Sequence, residues 1–297
     1  MTSEMADALL AIARSDHTSA EALARAAARS NPGNRLAELI ATHLSSAQGE
    51  GVYDEPSAFE DFIDHGGNPA LYAAVIDALR ERYDVIEAAH SSERALDVLD
   101  IGCGDGRVTA AAVPSGASLH LLEPAAQLLR AAEVALGGHR GPVTSSQMTR
   151  VELLASSSER WDVAQSSFAM SAIEPDARRD ALRTLRDRAD RLLIVEFDIP
   201  DFEDGSAAHA AYAAERYERG VAEYADRPHV CSGFLMPVLV GQFDPGQPRH
   251  TYEQSADAWL HDLRATGWTA DATPVAPYWW ADAVLVDAKP GNPSMVT

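Results

Sequence analysis

The chain has 297 residues, 46% of them hydrophobic, enough to bury one sizeable core and a smaller satellite. Its formal net charge of -21 repels phosphate backbones and anionic lipid heads, which argues against nucleic-acid and membrane partners. Two cysteines make no disulfide framework, and the N-terminus lacks the basic region and apolar core of a signal peptide, so a cytoplasmic protein is expected.

Residues 4–45 repeat apolar side chains at helical spacing: Leu9, Leu10 and Ala13, then Ala22, Leu23 and Ala26, then Leu36, Ile40 and Leu44. Thr18 or Ser19 is the expected N-cap of the second run, and "SNPGN" breaks it. "SSAQGEGVYDEP" reads as a loop. A further helical stretch carries Phe59, Phe62 and Ile63 and, beyond "HGGNP", Leu71, Val75, Ile76 and Leu79.

From residue 95 the texture changes. Strands are expected at 95–101, 118–124, within "GPVTSSQ", at 161–170 and at 191–199. Helices are expected from 108, over 125–136 and over 175–189. This alternation implies right-handed crossovers and a doubly wound, mostly parallel α/β sheet. "YEQSADAWLHDLRATGW" is a helix stopped by Gly267, followed by two strands around a Pro/aromatic turn, an antiparallel hairpin edge. The stretch 200–251, about fifty residues, is too long for an ordinary connection and reads as a functional cap carrying its own helix.

The first strand ends in Asp100 and feeds Gly102, Gly104 and Gly106 before a helix. Missing side chains let backbone turn sharply and approach a ligand, while the helix start offers free N–H groups. The dinucleotide fingerprint G-x-G-x-x-G is not met, because position 107 is Arg, and the Lys-Ser/Thr of a phosphate-binding loop is absent. Glu123 ends the second strand, where an acid can accept both hydroxyls of a ribose.

"VLDIGCGDGRVT" followed by "LHLLEP" resembles motifs I and II of the class I S-adenosylmethionine-dependent methyltransferases of small-molecule and natural-product type. The resemblance covers about residues 95–288. It implies a seven-stranded Rossmann-like sheet with an antiparallel last strand and S-adenosylmethionine as cofactor. It also implies methyl transfer to a small molecule, O-directed and in specialised metabolism. By this resemblance Gly102, Cys103 and Gly104 border the methionine part of the cofactor, Asp100 lies beneath it, and Glu123 with Pro124 holds the ribose. Gln147 and Met148 stand where the family carries its adenine contact, often an Asp, and Ser166 completes the cofactor set. The plainer reading of Cys103 is a small buried side chain between two glycines.

Methyl transfer from a sulfonium asks the protein to align the nucleophile, exclude water and sometimes remove a proton. No metal-ligand spacing is present, so no metal is expected. The candidate bases are His229, His209 and Asp198, with His65 and His250 behind them; an acidic acceptor needs none. Candidate substrate residues are Phe168 after strand four, Tyr212 on the cap helix, Trp279 in "PYWW", and Tyr53 and Phe62 before strand one. Each aromatic is equally well explained by core packing.

The expected division is a helical N-terminal extension or lid over 1–90 and a catalytic domain over 91–297 with the cap at about 200–251. Residues 1–45 resemble the helical dimerisation region of natural-product O-methyltransferases, which adds a homodimer to the expectations. Two alternatives stand beside this reading. One is an enzyme of the same fold that catalyses a non-methylating reaction such as cyclisation. The other is a non-catalytic, partner-binding subunit, whose expected sign is a damaged cofactor motif.

Overall fold

Seven strands form one sheet in the order β3-β2-β1-β4-β5-β7-β6. β1 (Asp97–Ile101), β2 (Ser118–Leu122), β3 (Val143–Ser146), β4 (Val163–Ser167) and β5 (Leu192–Phe197) pair in parallel. β7 (Ala283–Pro290) runs antiparallel to both β5 and β6 (Trp268–Ala276). This is the doubly wound sheet that the alternation implies, with its reversed last strand. The computed structural model describes residues 2–46, 56–90, 94–147, 159–247 and 249–291.

The central strands are buried on consecutive residues because helices cover both faces. On one face Leu99, Ile101, Ala164, Leu192 and Ile194 pack with Ala181, Leu182 and Leu185 of the helix Pro175–Arg186 and with Trp259 and Leu263 of the helix Ala256–Ala265. Glu174 caps the first of these helices through Asp176 N and Ala177 N. Gly267, at φ +89°, ends the second. Strand order reverses between β1 and β4, and in such sheets the ligand crevice lies outside the carboxyl ends at that point.

The chain divides into two compact units. One holds the sheet and comprises Leu71–Ile199, Tyr252–Pro277 and the residues from Ala281 onward. The other gathers the residues up to Ala70 with Pro200–Thr251 and Tyr278–Trp280, so the segment expected as a cap folds together with the N-terminal helices. In that unit Met5, Leu9, Ile12, Leu36, Ile40, Ala213, Tyr217, Leu239 and Phe243 are buried. The helix His17–Ser30 is capped by Asp16 rather than Thr18 or Ser19: the carboxylate accepts from Ser19 N at 3.0 Å, a stronger acceptor than a hydroxyl.

The helix Ala207–Glu223 lies where a cap helix is expected; a second helical run, Pro228–Phe243, follows it. Its middle, Cys231–Leu235, is wound as a π-helix. Pro237 explains the wider turn, since proline has no N–H to donate and its ring crowds the carbonyl one turn back. No helix among the described residues is long and apolar enough to cross a membrane.

Candidate functional site

The loop leaving β1 takes left-handed backbone three times, at Gly102 (φ +70°), Gly104 (φ +56°) and Gly106 (φ +77°). The three glycines answer different needs. A Cβ on Gly102 would stand 2.4 Å from Ala169 Cβ, and one on Gly106 would stand 2.8 Å from Ala132 Cα. A Cβ on Gly104 would meet nothing within 4 Å. Two glycines therefore let elements pack, while the middle one presents bare backbone to open space. Gly106 explains why the third glycine sits one place earlier than in the dinucleotide fingerprint: it abuts the helix Ala126–Ala135 directly.

Glu123 is 7% exposed beside this loop. Its Oε2 accepts from Gly104 N at 3.1 Å and its Oε1 from Ala125 N at 2.9 Å. Pro124 next to it is exposed. Cys103 is half-buried, and burial pushes its thiol well up.

Asp100 is buried beneath the loop, and desolvation raises its pKa to about 6 against hydrogen bonds that lower it. Its Oδ2 accepts from Thr109 Oγ1. Gln165, the register partner of Asp100 on β4, is fully buried and accepts at Oε1 from the Tyr83 hydroxyl at 2.7 Å. Ser166 is buried with its hydroxyl on Ile101 O at 2.9 Å, tying β4 to β1. Asp100, Gly102, Cys103, Gly104, Glu123 and Ser166 thus converge at the ends of β1, β2 and β4. Gln147 is exposed just beyond β3, and Met148 lies outside the described residues.

Phe168 follows β4 and is one of two described non-glycine residues with positive φ, at +55°. Such backbone in a bulky residue costs on the order of 1–3 kcal/mol and collects at functional sites. Its ring stacks on Phe197 at 4.7 Å and meets the edge of Tyr72 at 6.0 Å. Arg107, from the glycine loop's helix, lies 5.6 Å over the Tyr72 ring. Ala169, the residue after Phe168, is the one that Gly102 accommodates, so this half-buried aromatic group adjoins the loop.

The other candidates stand elsewhere. Tyr212 donates its hydroxyl to Trp280 O at 2.8 Å, and Trp279 packs edge-on against Tyr217. Phe62 packs on Phe234 at 4.3 Å, and Tyr53 lies outside the described residues. His209 is buried between Phe202 and Phe243, where desolvation lowers its pKa, and its Nδ1 accepts from Gly205 N. Asp198 accepts from Ala256 N at 2.7 Å at the start of a helix. His229 is half-exposed, with Nε2 2.9 Å from Asp61 Oδ2. The three candidate bases are therefore held by separate local partners. Among the described residues no cluster of His, Cys, Asp and Glu is arranged to hold a metal ion.

Tyr83, Thr109 and Gln165 escape motif reading. The one sequence signal is Tyr83 itself, a polar tip on the apolar stripe Leu71, Val75, Leu79 and Ile86.

Residues 99–191 match a family model described as a methyltransferase domain. No curated protein matches the chain in sequence. Among solved structures, magnesium protoporphyrin IX methyltransferase from Synechocystis PCC 6803, bound to S-adenosylhomocysteine, is 12% identical at a TM-score of 0.51, covering 80% of this chain and 96% of that one. The plantazolicin methyltransferase BpumL, in complex with a monoazolic desmethylPZN analogue and S-adenosylhomocysteine, is 9% identical at 0.52, covering 80% and 91%. The mitomycin 7-O-methyltransferase MmcR is 18% identical at 0.51, covering 86% and 66%. At such identities the likeness is one of fold. The match to a methyltransferase domain lies across the glycine loop and Glu123, inside a seven-stranded sheet with a reversed last strand.

Proposed function

We propose that the protein transfers a methyl group from S-adenosylmethionine to an oxygen of a small molecule, in specialised metabolism and in the cytoplasm. The observation that carries the cofactor's place is Gly104, bare backbone facing open space beside the buried carboxylates of Asp100 and Glu123. The residues fit the group. Glu123 uses two of its roughly four lone-pair sites on Gly104 and Ala125, leaving capacity for a diol. When bound, the cofactor supplies an activated methyl group on its own leaving group.

The chain's part is to hold, orient and keep dry. Gly104 presents backbone to the methionine portion, Gly102 lets the loop beside it pack on Ala169, Glu123 accepts the ribose hydroxyls, and Asp100 supports the loop from below. Phe168, Phe197 and Tyr72 form an apolar wall that suits an apolar or planar acceptor.

Calorimetry with S-adenosylhomocysteine tests this. The wild type binds; Glu123→Ala removes charge-assisted hydrogen bonds and weakens affinity by about tenfold to a hundredfold. Full affinity in Glu123→Ala would remove the ribose assignment, and no binding by the wild type would remove the cofactor reading. Release of demethylated cofactor during turnover separates methyl transfer from a cyclisation that leaves it intact.

A further inference from the structure

A chain of buried donors reaches the cofactor loop from a helix that lies outside every motif. Tyr83, on the helix Asn68–Ala89, is 1% exposed; Gln165 is 0%, Thr109 1% and Asp100 3% exposed. A phenol can give its hydrogen to Gln165 Oε1 at 2.7 Å, and that contact fixes which end of the amide faces the other way. The amide Nε2 then points to Thr109 Oγ1 at 3.5 Å, and the threonine hydroxyl donates to Asp100 Oδ2. Burial and the Asp100 charge hold the Tyr83 phenol well above its ordinary pKa, so it stays a donor.

The two ends of the glycine loop are both members of this chain. Asp100 closes β1 just before Gly102, and Thr109 stands on the helix Arg107–Ala112 that starts after Gly106. Because Asp100 and Gln165 are register partners, β4 holds the pair at a fixed separation. We propose that Tyr83 is a positioning residue for the cofactor: through Gln165 and Thr109 it orients Asp100 and fixes the span of the glycine loop. The proposal rests on the reading of that loop as the S-adenosylmethionine site.

A phenol that only filled space would lose melting temperature and nothing else when its oxygen is removed. A positioning phenol changes affinity at temperatures where the fold is intact. Tyr83→Phe removes a single oxygen, and it is expected to raise the dissociation constant for S-adenosylhomocysteine about threefold to tenfold by calorimetry. The KM for S-adenosylmethionine rises by the same factor, with kcat little changed. Thr109→Val reproduces the loss and Thr109→Ser, which keeps the hydroxyl, restores wild-type affinity. Tyr83→Phe combined with Thr109→Val is no weaker than Thr109→Val alone, because the two act through one chain. Should Thr109→Val fail to fold, Tyr83→Phe and Thr109→Ser carry the test together. Wild-type affinity in Tyr83→Phe would overturn the inference and leave the cofactor reading standing. A wild type that binds no S-adenosylhomocysteine would overturn both.

Discussion

Gly106→Ala is expected to destabilise the protein by about 2–4 kcal/mol, whereas Gly104→Ala is expected to destabilise it by about 1–2 kcal/mol. Both positions hold left-handed backbone, so both alanines meet the same intrinsic penalty. Only at Gly106 does the new methyl also strike the neighbouring helix, 2.8 Å from Ala132 Cα and 2.9 Å from its Cβ. Main chain cannot swing aside as a side chain can, so the helix Ala126–Ala135 has to move. For binding the order reverses. The Gly104 methyl projects into the open space where the loop presents its backbone, so Gly104→Ala weakens S-adenosylhomocysteine binding more than tenfold while the fold survives. Urea melts paired with calorimetry on the two variants read both quantities. Equal stability losses would refute the packing account of Gly106, and undiminished binding in Gly104→Ala would place the ligand elsewhere.

The parts of this protein legible in its sequence are those written in local periodicity. Short apolar runs such as Val98–Leu99, Val163–Ala164 and Leu192–Val195 announce buried strands, and the alternating helices dictate a parallel sheet. The glycine loop and Glu123 are legible because backbone conformation and a strand-end acid are local features. The helix Met236–Phe243 and the π-turn before it were not, because Gly233 and Pro237 are poor helix formers and only tertiary packing holds that stretch helical. The candidate bases could not be ranked either. The partners that occupy His209, Asp198 and His229 are Gly205 N, Ala256 N and Asp61, and two of the three are remote in sequence. Tyr83 and Gln165 are likewise 82 residues apart, and no spacing rule reaches that far.

Arg178→Ala is expected to be the more severe change, about 3–5 kcal/mol. The guanidinium is fully buried, lying 4.5 Å over the Trp259 ring. It donates to Tyr252 O at 2.8 Å and to Gln254 Oε1 at 2.6 Å, joining the helix Pro175–Arg186 to the strand-like segment before the helix Ala256–Ala265. Removing it leaves a cavity, takes a donor from each of two acceptors and leaves a buried acid without its nearby cation. That acid is Glu196, 1% exposed at the end of β5, with Oε1 accepting from Ser171 N at 2.9 Å. Desolvation raises its pKa from 4.5 to about 7, while Ser171 and the Arg178 charge pull it back. A carboxyl whose pKa is raised on folding contributes stability in full below about pH 4.5, and loses it as the pH climbs through about 7. Without Arg178 the folded pKa rises further, so the variant's deficit grows with pH. Urea melts at about pH 5 and about pH 8 should therefore show a larger loss for Arg178→Ala at the higher value, and adding Glu196→Gln should remove most of that difference. A deficit independent of pH would mean that Arg178 holds its neighbours by packing and hydrogen bonds alone, with no part in setting the charge of Glu196.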